Sequence, residues 1–282
     1  MRIKTVQAWW VRVPIEAARQ HRSDFGQVTT FDAAILRIET DDGLVGWGEG
    51  KNAAGSAGSY GALVHMLNHE IAPQLIGRDP ADIGVIWEML YNGVRHEAAS
   101  RAGHAMPQLA RRGVSIAAIS AVDIALWDIL GKSLGVPVWR LLGGRKLDRM
   151  PAYASGGWAS ADAIGEQLKS YIARGGFKAV KMRVGSMDGT PHVSASRARA
   201  AREALGPEIG LMVDAHGTYT VAEAKRFIHL VRDLDLAWFE EPVIADDHAG
   251  MAEVRAAGAI PIATGESEAT RYAFRDLAVF KA

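Results

Sequence analysis

The chain has 282 residues, enough for one large core or two domains, and its 32 basic residues equal its 32 acidic ones. This balance provides no net field toward nucleic acid or an anionic membrane surface, so neither is expected as a partner. The chain has no cysteine, which excludes disulfides and thiolate metal sites, and no uninterrupted apolar stretch near the ~20 residues of a membrane helix, so we expect a soluble cytoplasmic protein.

The first fifty residues read as a β meander. Strands are predicted at residues 5–13, 33–39 and 45–48, with a turn at Asp41-Asp42-Gly43. Two segments rich in polar or small residues, 21–26 and 52–59, are predicted as loops. Such loops often close over substrates, but solvated surface loops have the same composition.

Helices are expected to dominate residues 60–133. The clearest spans residues 115–132, where Ile116, Ile119, Leu126 and Leu130 form an apolar stripe. Glycine and proline residues mark its end.

From residue 150 onward, strand-like runs alternate with helical ones. The predicted strands are residues 153–155, 179–184, 209–214, 237–240 and 261–264, and the predicted helices are 160–174, 193–205, 221–233, 247–257 and 269–281. This alternation predicts parallel βα units with right-handed crossovers. The glycine motifs typical of dinucleotide or phosphate binding are absent from the sequence.

The number of predicted strands bears on the architecture. A closed barrel needs about eight strands, and five would leave edges with unpaired backbone donors. We therefore expect a chain truncated at its C-terminus, with a complete five-stranded open sheet as the alternative.

Three acidic residues follow apolar runs at equal spacing. Asp214, Glu240 and Glu266 are 26 residues apart, an interval that fits one strand, one helix and their turns. Successive βα units would bring these carboxylates together at the carboxyl ends of neighbouring strands. Converging carboxylate oxygens suit a hard divalent cation, Mg²⁺ before Zn²⁺.

Basic side chains are expected beside these acids. Strand side chains alternate with period two, so Lys181 and Arg183 share one face of their strand, as do Asp214 and His216 on the next. Trp238 and Glu240 share a face in the same way. A structural ion pair would explain one such cation, but two beside three carboxylates favour a functional site.

The whole constellation resembles the enolase superfamily, in its mandelate racemase/muconate lactonizing enzyme branch. The metal-binding acids of that family correspond to Asp214, to the first residue of Glu240-Glu241-Pro242, and to Glu266 of Gly265-Glu266. Its Lys-x-Lys strand corresponds to Lys181-Met182-Arg183, and its helix before the barrel to residues 120–128. The likeness covers nearly all of the chain.

The resemblance implies a fold and a chemistry. An α+β capping domain, residues 1–125, would precede a partial TIM-like (β/α)7β barrel at residues 126–282, giving an overall α/β class. Mg²⁺ held by the three carboxylates would bind a substrate carboxylate while a base removes the adjacent proton. His21 and Arg22 of the capping loop are candidates for substrate contact. Homo-oligomers occur among such relatives.

The sequence departs from the common pattern at the second lysine. Arg183 keeps its proton at working pH, so it is suited to clamping a substrate rather than to general-base catalysis. Lys181 would stabilise the enediolate charge. His216 would act as the acid that expels a hydroxyl group, or alternatively would orient a metal ligand.

These residues predict a Mg²⁺-dependent acid-sugar dehydratase. Two alternatives stay open: a racemase, epimerase or cycloisomerase with the same enediolate chemistry, and a catalytically incomplete fragment. The base is unassigned, because the aspartate–histidine pair of the family belongs to later strands.

Overall fold

The computed structural model describes residues 1–17, 20–23, 26–51, 60–93, 101, 113–258 and 260–282. These divide into two compact units, Met1–Asp148 and Arg149–Ala282. The predicted domain boundary at residue 125 falls inside a helix of the first unit. The predicted loop 52–59 lies outside the described residues.

The first unit is an α+β fold. Its strands are β1 (Ile3–Pro14), β2 (His21–Ser23), β3 (Gly26–Val28), β4 (Thr30–Thr40) and β5 (Val45–Gly50). Its described helices are α1 (Tyr60–His65), a π-helical turn (Met66–Ile71), α2 (Ala72–Leu75), α3 (Ile83–Asn92), α4 (Val114–Leu134) and α5 (Val138–Leu141). The predicted meander is confirmed as an antiparallel sheet in the order β1-β4-β5.

The segment 21–26, predicted as a loop, contains strand β2 and the first residue of β3 instead. His21 pairs with Val28 and Ser23 with Gly26 in the antiparallel β2–β3 ladder. Ladder hydrogen bonds use backbone groups alone, so polar side chains do not prevent such pairing.

Helix α4 packs on the sheet through small residues. A Cβ added at Gly48 would lie 1.9 Å from the carbonyl oxygen of Ala121, and one at Gly46 would lie 2.2 Å from that of Ala125. The buried face of α4 includes Ala117, Ala121 and Ala125 besides Ile119 and Leu126 of the predicted stripe. The predicted stripe therefore identifies part of the buried face, and the close backbone approach adds the small residues that a stripe of large apolar residues leaves out.

The composition of α4 also bears on membranes. Among the described helices it alone is long and apolar enough to cross a bilayer by length and composition, with a mean hydropathy of 1.7. Half of that stretch is buried inside the protein.

The outer edge of β1 is covered near its middle. The side-chain amide of Asn68 accepts a hydrogen bond from the Ala8 N–H at 2.8 Å and donates one to the Ala8 carbonyl at 3.0 Å. Nearer the start of the strand, the Ile3 N–H donates to the Arg78 carbonyl and the Gly77 N–H donates to the Ile3 carbonyl.

The second unit consists of βα units. Its strands are β6 (Ala154–Gly156), β7 (Ala179–Arg183), β8 (Gly210–Asp214), β9 (Leu236–Glu240) and β10 (Ile262–Ala263). Its helices are α6 (Ile164–Gly175), a 3₁₀ turn (Ser186–Asp188), α7 (Pro191–Leu205), α8 (Val221–Val231), α9 (His248–Ala256) and α10 (Thr270–Phe280). The predicted strand–helix alternation is confirmed, with α6 beginning four residues later than predicted because residues 161–163 form a turn.

All five strands of this unit are parallel, in the order β10-β9-β8-β7-β6. The predicted fold class is therefore confirmed: an α+β unit followed by a barrel-type parallel sheet, which is open over the described residues. Aromatic and aliphatic side chains from helices and strands, including Phe227 and Phe239, form one buried core. This core aligns the strands and brings their carboxyl ends to one edge.

Candidate active site

The acidic residues lie at that edge of the sheet. Asp214 ends β8 and Glu240 ends β9, and the two are directly paired in the parallel ladder. Arg183 ends β7 and pairs with Asp214 on its other side. Glu266 follows β10 by three residues, because that strand stops at Ala263. Equal sequence spacing thus places the third carboxylate in a loop rather than at a strand end.

Lys181 is the cation at the centre of these acids. Its side chain is 8% exposed, and its Nζ lies 2.9 Å from Asp214 Oδ2 and 2.6 Å from Glu240 Oε1. Burial alone would lower the pKa of the Lys181 ammonium. The hydrogen bonds and negative charges of Glu240 and Asp214 outweigh burial and raise that pKa above its ordinary value.

Arg183 and His216 form the other side of the cluster. The Arg183 guanidinium forms an ion pair with Asp214 Oδ2, and its Nη2 lies 2.6 Å from His216 Nε2. The His216 backbone N–H donates to Asp214 Oδ1 at 3.1 Å. His216 has a φ of 46°, in the left-handed region that few residues other than glycine adopt.

His216 also contacts Glu266. Its Nε2 lies 3.3 Å from Glu266 Oε1. A hydrogen bond with His216 lowers the pKa of the Glu266 carboxyl more than burial raises it. The predicted residues Lys181, Arg183, Asp214, His216, Glu240 and Glu266 therefore lie in one connected cluster.

Glu241 is a fourth carboxylate, to which the sequence assigned no role. It is 5% exposed, and its Oε1 has no hydrogen-bond partner among the described residues. Burial, followed by the charge of Glu266, raises the pKa of Glu241 to about 7, and the charges of Asp214 and Glu240 act in the same direction. Its place in Glu240-Glu241-Pro242, next to a predicted ligand, was the signal that could have identified it.

The electrostatics of the cluster fit a divalent cation. Four carboxylates lie in or beside the cluster, together with one imidazole and no thiolate, and the buried Glu241 Oε1 has no hydrogen-bond partner among the described residues. Within the described residues, no three acidic or histidine side chains already have the geometry of a metal site. Instead, Lys181 and Arg183 form ion pairs with the carboxylates of Asp214 and Glu240. Binding of Mg²⁺ to these carboxylates would therefore have to displace part of these ion pairs.

A cavity adjoins the acids. Its volume is about 240 Å³, and it is lined by Trp238, Glu240, Glu241, Ala263, Thr264 and Glu266. A space of this size beside carboxylates and cations can hold a small polar molecule.

A buried arginine supports the strand ends from the outside of the sheet. Arg197 of α7 is 3% exposed and pairs with Asp188 at 2.8 Å. It also donates to the carbonyl oxygens of Gly157, Ala159 and Arg183 at 3.0, 2.8 and 2.8 Å. Sequence reasoning missed this residue, because nothing in the spacing separates it from the other arginines of the helix.

The remaining predicted site residues belong to the first unit. His21 and Arg22 lie in strand β2. Their assignment as substrate contacts stays a prediction.

Both parts of the chain match known families. Residues 2–143 match the mandelate racemase/muconate lactonizing enzyme N-terminal domain. Residues 163–282 match the enolase C-terminal domain-like family.

Two curated relatives of this chain are named for different reactions. A D-galactarolactone cycloisomerase from Agrobacterium fabrum is 36% identical over 273 residues, which cover 92% of this chain and 66% of the relative. A D-galactonate dehydratase from Verminephrobacter eiseniae is 37% identical over 261 residues, which cover 88% of this chain and 63% of the relative. The chain thus spans about two thirds of the length of these relatives.

One solved structure bears on the metal. A racemase from Streptomyces coelicolor with bound magnesium has a TM-score of 0.83 to this chain and 32% sequence identity. The match covers 99% of this chain and 73% of the racemase.

Proposed function

The chain belongs to the mandelate racemase/muconate lactonizing enzyme branch of the enolase superfamily, and we propose that it dehydrates a sugar acid with the help of Mg²⁺. The observation that carries this proposal is the contact of His216 with Glu266 beside the carboxylate cluster. It puts an acid–base group next to the predicted metal site. The similarity to the Verminephrobacter D-galactonate dehydratase supports an aldonate or aldarate as substrate.

Asp214, Glu240 and Glu266 would hold the metal ion through carboxylate oxygens. Bound Mg²⁺ would offset the second negative charge that a substrate carboxylate gains when its neighbouring proton leaves. Burial and the neighbouring carboxylates raise the pKa of Glu241 to about 7, so Glu241 would add a negative charge that favours a cation only in its ionised form.

Lys181 and Arg183 would bind the substrate. Lys181 keeps its charge under burial because of its acidic neighbours, so it can stabilise developing negative charge on the substrate. The Arg183 guanidinium is a fixed donor that can clamp a carboxylate or hydroxyl group.

His216 would supply the proton for the leaving group. Loss of water breaks a carbon–oxygen bond at the carbon next to the acidic C–H, and the departing hydroxyl needs a proton. An imidazole that titrates near neutrality suits this transfer. The enol product then becomes a keto acid, and the base that takes the first proton is unassigned.

A cycloisomerase is the second candidate, because the Agrobacterium relative is named for that reaction. The early chemistry would be the same, but a ring oxygen would leave in place of water. A racemase or epimerase, or a chain that binds metal without turnover, completes the alternatives.

The proposal also includes the substrate class, the location and the assembly state of the protein. We expect a small-molecule carboxylate as substrate, a cytoplasmic location and self-association as a homo-oligomer. Sedimentation analysis of the purified chain tests the last of these.

The test is a panel of aldonates, aldarates and their lactones, incubated with the chain and Mg²⁺. A keto acid that appears with an aldonate, D-galactonate first, and disappears in an Asp214→Asn/Glu240→Gln variant supports dehydration. Glu253→Gln, at an exposed pair with Lys225, is the matched control. Consumption of a lactone alone favours the cycloisomerase. Exchange of the α-proton in D₂O without loss of water favours a racemase, and metal binding without turnover favours the non-catalytic alternative.

A further inference from the structure

We propose that Trp238 is a positioning residue that orients Glu240 for metal binding and reports metal entry by its fluorescence. This inference rests on the proposed function, because it takes Glu240 as a Mg²⁺ ligand. The indole Nε1 of Trp238 donates to Glu240 Oε2 at 3.0 Å. The two residues stand two apart in β9, so their side chains project from the same face of the strand.

Both oxygens of Glu240 have donors. Lys181 Nζ donates to Oε1 at 2.6 Å, and Trp238 donates to Oε2. A carboxylate held at both oxygens cannot rotate about its last bond without breaking a hydrogen bond. Trp238 therefore fixes the plane in which Glu240 presents its lone pairs.

The two donors differ in what they do when a cation arrives. The Lys181 ammonium is positively charged and is shared with Asp214, so a divalent cation repels it and competes for the same oxygens. The indole N–H is neutral and can only donate. It would keep its hydrogen bond to Oε2 when a bound cation weakened the ion pair between Lys181 and Glu240. Donors that hydrogen-bond to a ligating carboxylate without contacting the metal orient that carboxylate and raise metal affinity.

The indole itself is held in place. The Tyr153 ring packs edge-on against Trp238, with ring centroids 5.3 Å apart at 77°. Lys181 Nζ lies 5.7 Å from the centre of the same Tyr153 ring. Tyr153 thus contacts both donors of Glu240, and Trp238 lines the cavity beside the acids.

The experiment replaces only the donor. Trp238→Phe keeps an aromatic ring but removes the N–H, and Trp139→Phe changes a tryptophan of the first unit that stacks with arginines. Calorimetric titration with MgCl₂ should show Mg²⁺ affinity reduced roughly tenfold in Trp238→Phe and unchanged in Trp139→Phe. Far-UV circular dichroism of both variants establishes that the fold is kept.

A second readout separates positioning from a general loss of structure. Mg²⁺ should change the tryptophan fluorescence of the original chain and of Trp139→Phe, and this change should be absent in Trp238→Phe. Trp238→His restores a ring N–H and should recover part of the affinity. If Trp238→Phe fails to fold, the affinity of the histidine variant decides: a value within about threefold of the original supports the proposal, and a tenfold loss overturns it.

The outcomes distinguish this inference from the proposed function. Equal Mg²⁺ affinity in the original chain and Trp238→Phe overturns the role of Trp238 and leaves the metal site standing. If the original chain binds no Mg²⁺, the proposed metal site is overturned and the role of Trp238 falls with it.

Discussion

The Nη2 of Arg183 lies 2.6 Å from the Nε2 of His216. A guanidinium only donates hydrogen bonds, so this contact requires Nε2 to accept, with the imidazole proton on Nδ1. Glu266 Oε1, 3.3 Å from the same Nε2, requires the opposite: a proton on that nitrogen. Nε2 cannot satisfy both neighbours at once. The form that can give a proton through Nε2 is therefore the one paired with Glu266.

A first prediction concerns His216→Asn. We expect dehydration of the preferred sugar acid to fall by about 100-fold or more, because the leaving hydroxyl loses its proton donor. Mg²⁺ affinity should fall much less than turnover, since His216 contacts the proposed ligand Glu266 but is not itself a ligand. Keto-acid formation and calorimetry measure the two effects, with His192→Asn on the exposed side of α7 as the control. Unchanged turnover in His216→Asn would remove this residue from the acid role.

A second prediction concerns Lys181→Met in the absence of metal. Removing this cation leaves Asp214 and Glu240 buried with less positive charge, so we expect the free energy of unfolding to fall by about 3 kcal/mol. Saturating Mg²⁺ should restore part of the loss. Urea unfolding in EDTA and in Mg²⁺ measures both effects. Lys225→Met breaks an exposed pair and should cost less than about 1 kcal/mol. The prediction would be contradicted if Lys181→Met lost no more unfolding free energy than Lys225→Met.

A third prediction concerns Glu241 and pH. Its folded-state pKa of about 7 lies above the ordinary value of 4.5, so between these values the folded protein keeps a proton that the unfolded chain has lost. Glu241 therefore makes the protein less stable as pH rises through this window. Glu241→Gln should be the more stable protein at pH 8, and its advantage should shrink toward pH 5.

Urea midpoints at pH 5, 6, 7 and 8 in EDTA test this dependence. The exposed Glu208→Gln serves as the control and should follow the original chain at every pH. If the urea midpoints of Glu241→Gln and of the original chain changed with pH in the same way, Glu241 would not titrate as stated.

A fourth prediction compares two arginines of helix α7. Arg197→Met removes the charged partner of the buried Asp188 side chain and one donor from each of three carbonyl groups, so we expect a loss of about 3–5 kcal/mol in unfolding free energy. Arg199→Met breaks an exposed pair with Asp233 and should cost less than about 1 kcal/mol. Equal losses in urea unfolding would mean that the buried pair does not hold the strand ends.

Local pattern predicted much of the fold. The order of strands and helices after residue 150 followed from runs of apolar residues and their lengths. Asp214 and Glu240 were placed at neighbouring strand ends because parallel strands share one carboxyl edge, and the ladder pairs them directly.

Other features depend on three-dimensional distances that spacing does not contain. Glu266 has the same interval as the other two acids, yet β10 ends at Ala263 and leaves it in a loop. Arg197 and Arg199 are two residues apart in one helix, and only packing against the sheet buries the first. The contact of Arg183 with His216 joins residues 33 positions apart, whose side-chain directions are set by the strand ends.

The Asn68 side chain has a consequence for encounters with other chains. An exposed strand edge can recruit an extended peptide as an additional strand, whether from a partner or from an aggregate. By occupying the outward amide and carbonyl of Ala8, Asn68 takes the place that such a peptide would need in the middle of β1. Pro14, which has no N–H to offer, ends the strand at its far side. Asn68→Ala should therefore leave the fold in place but make the β1-β4-β5 sheet more prone to intermolecular strand addition.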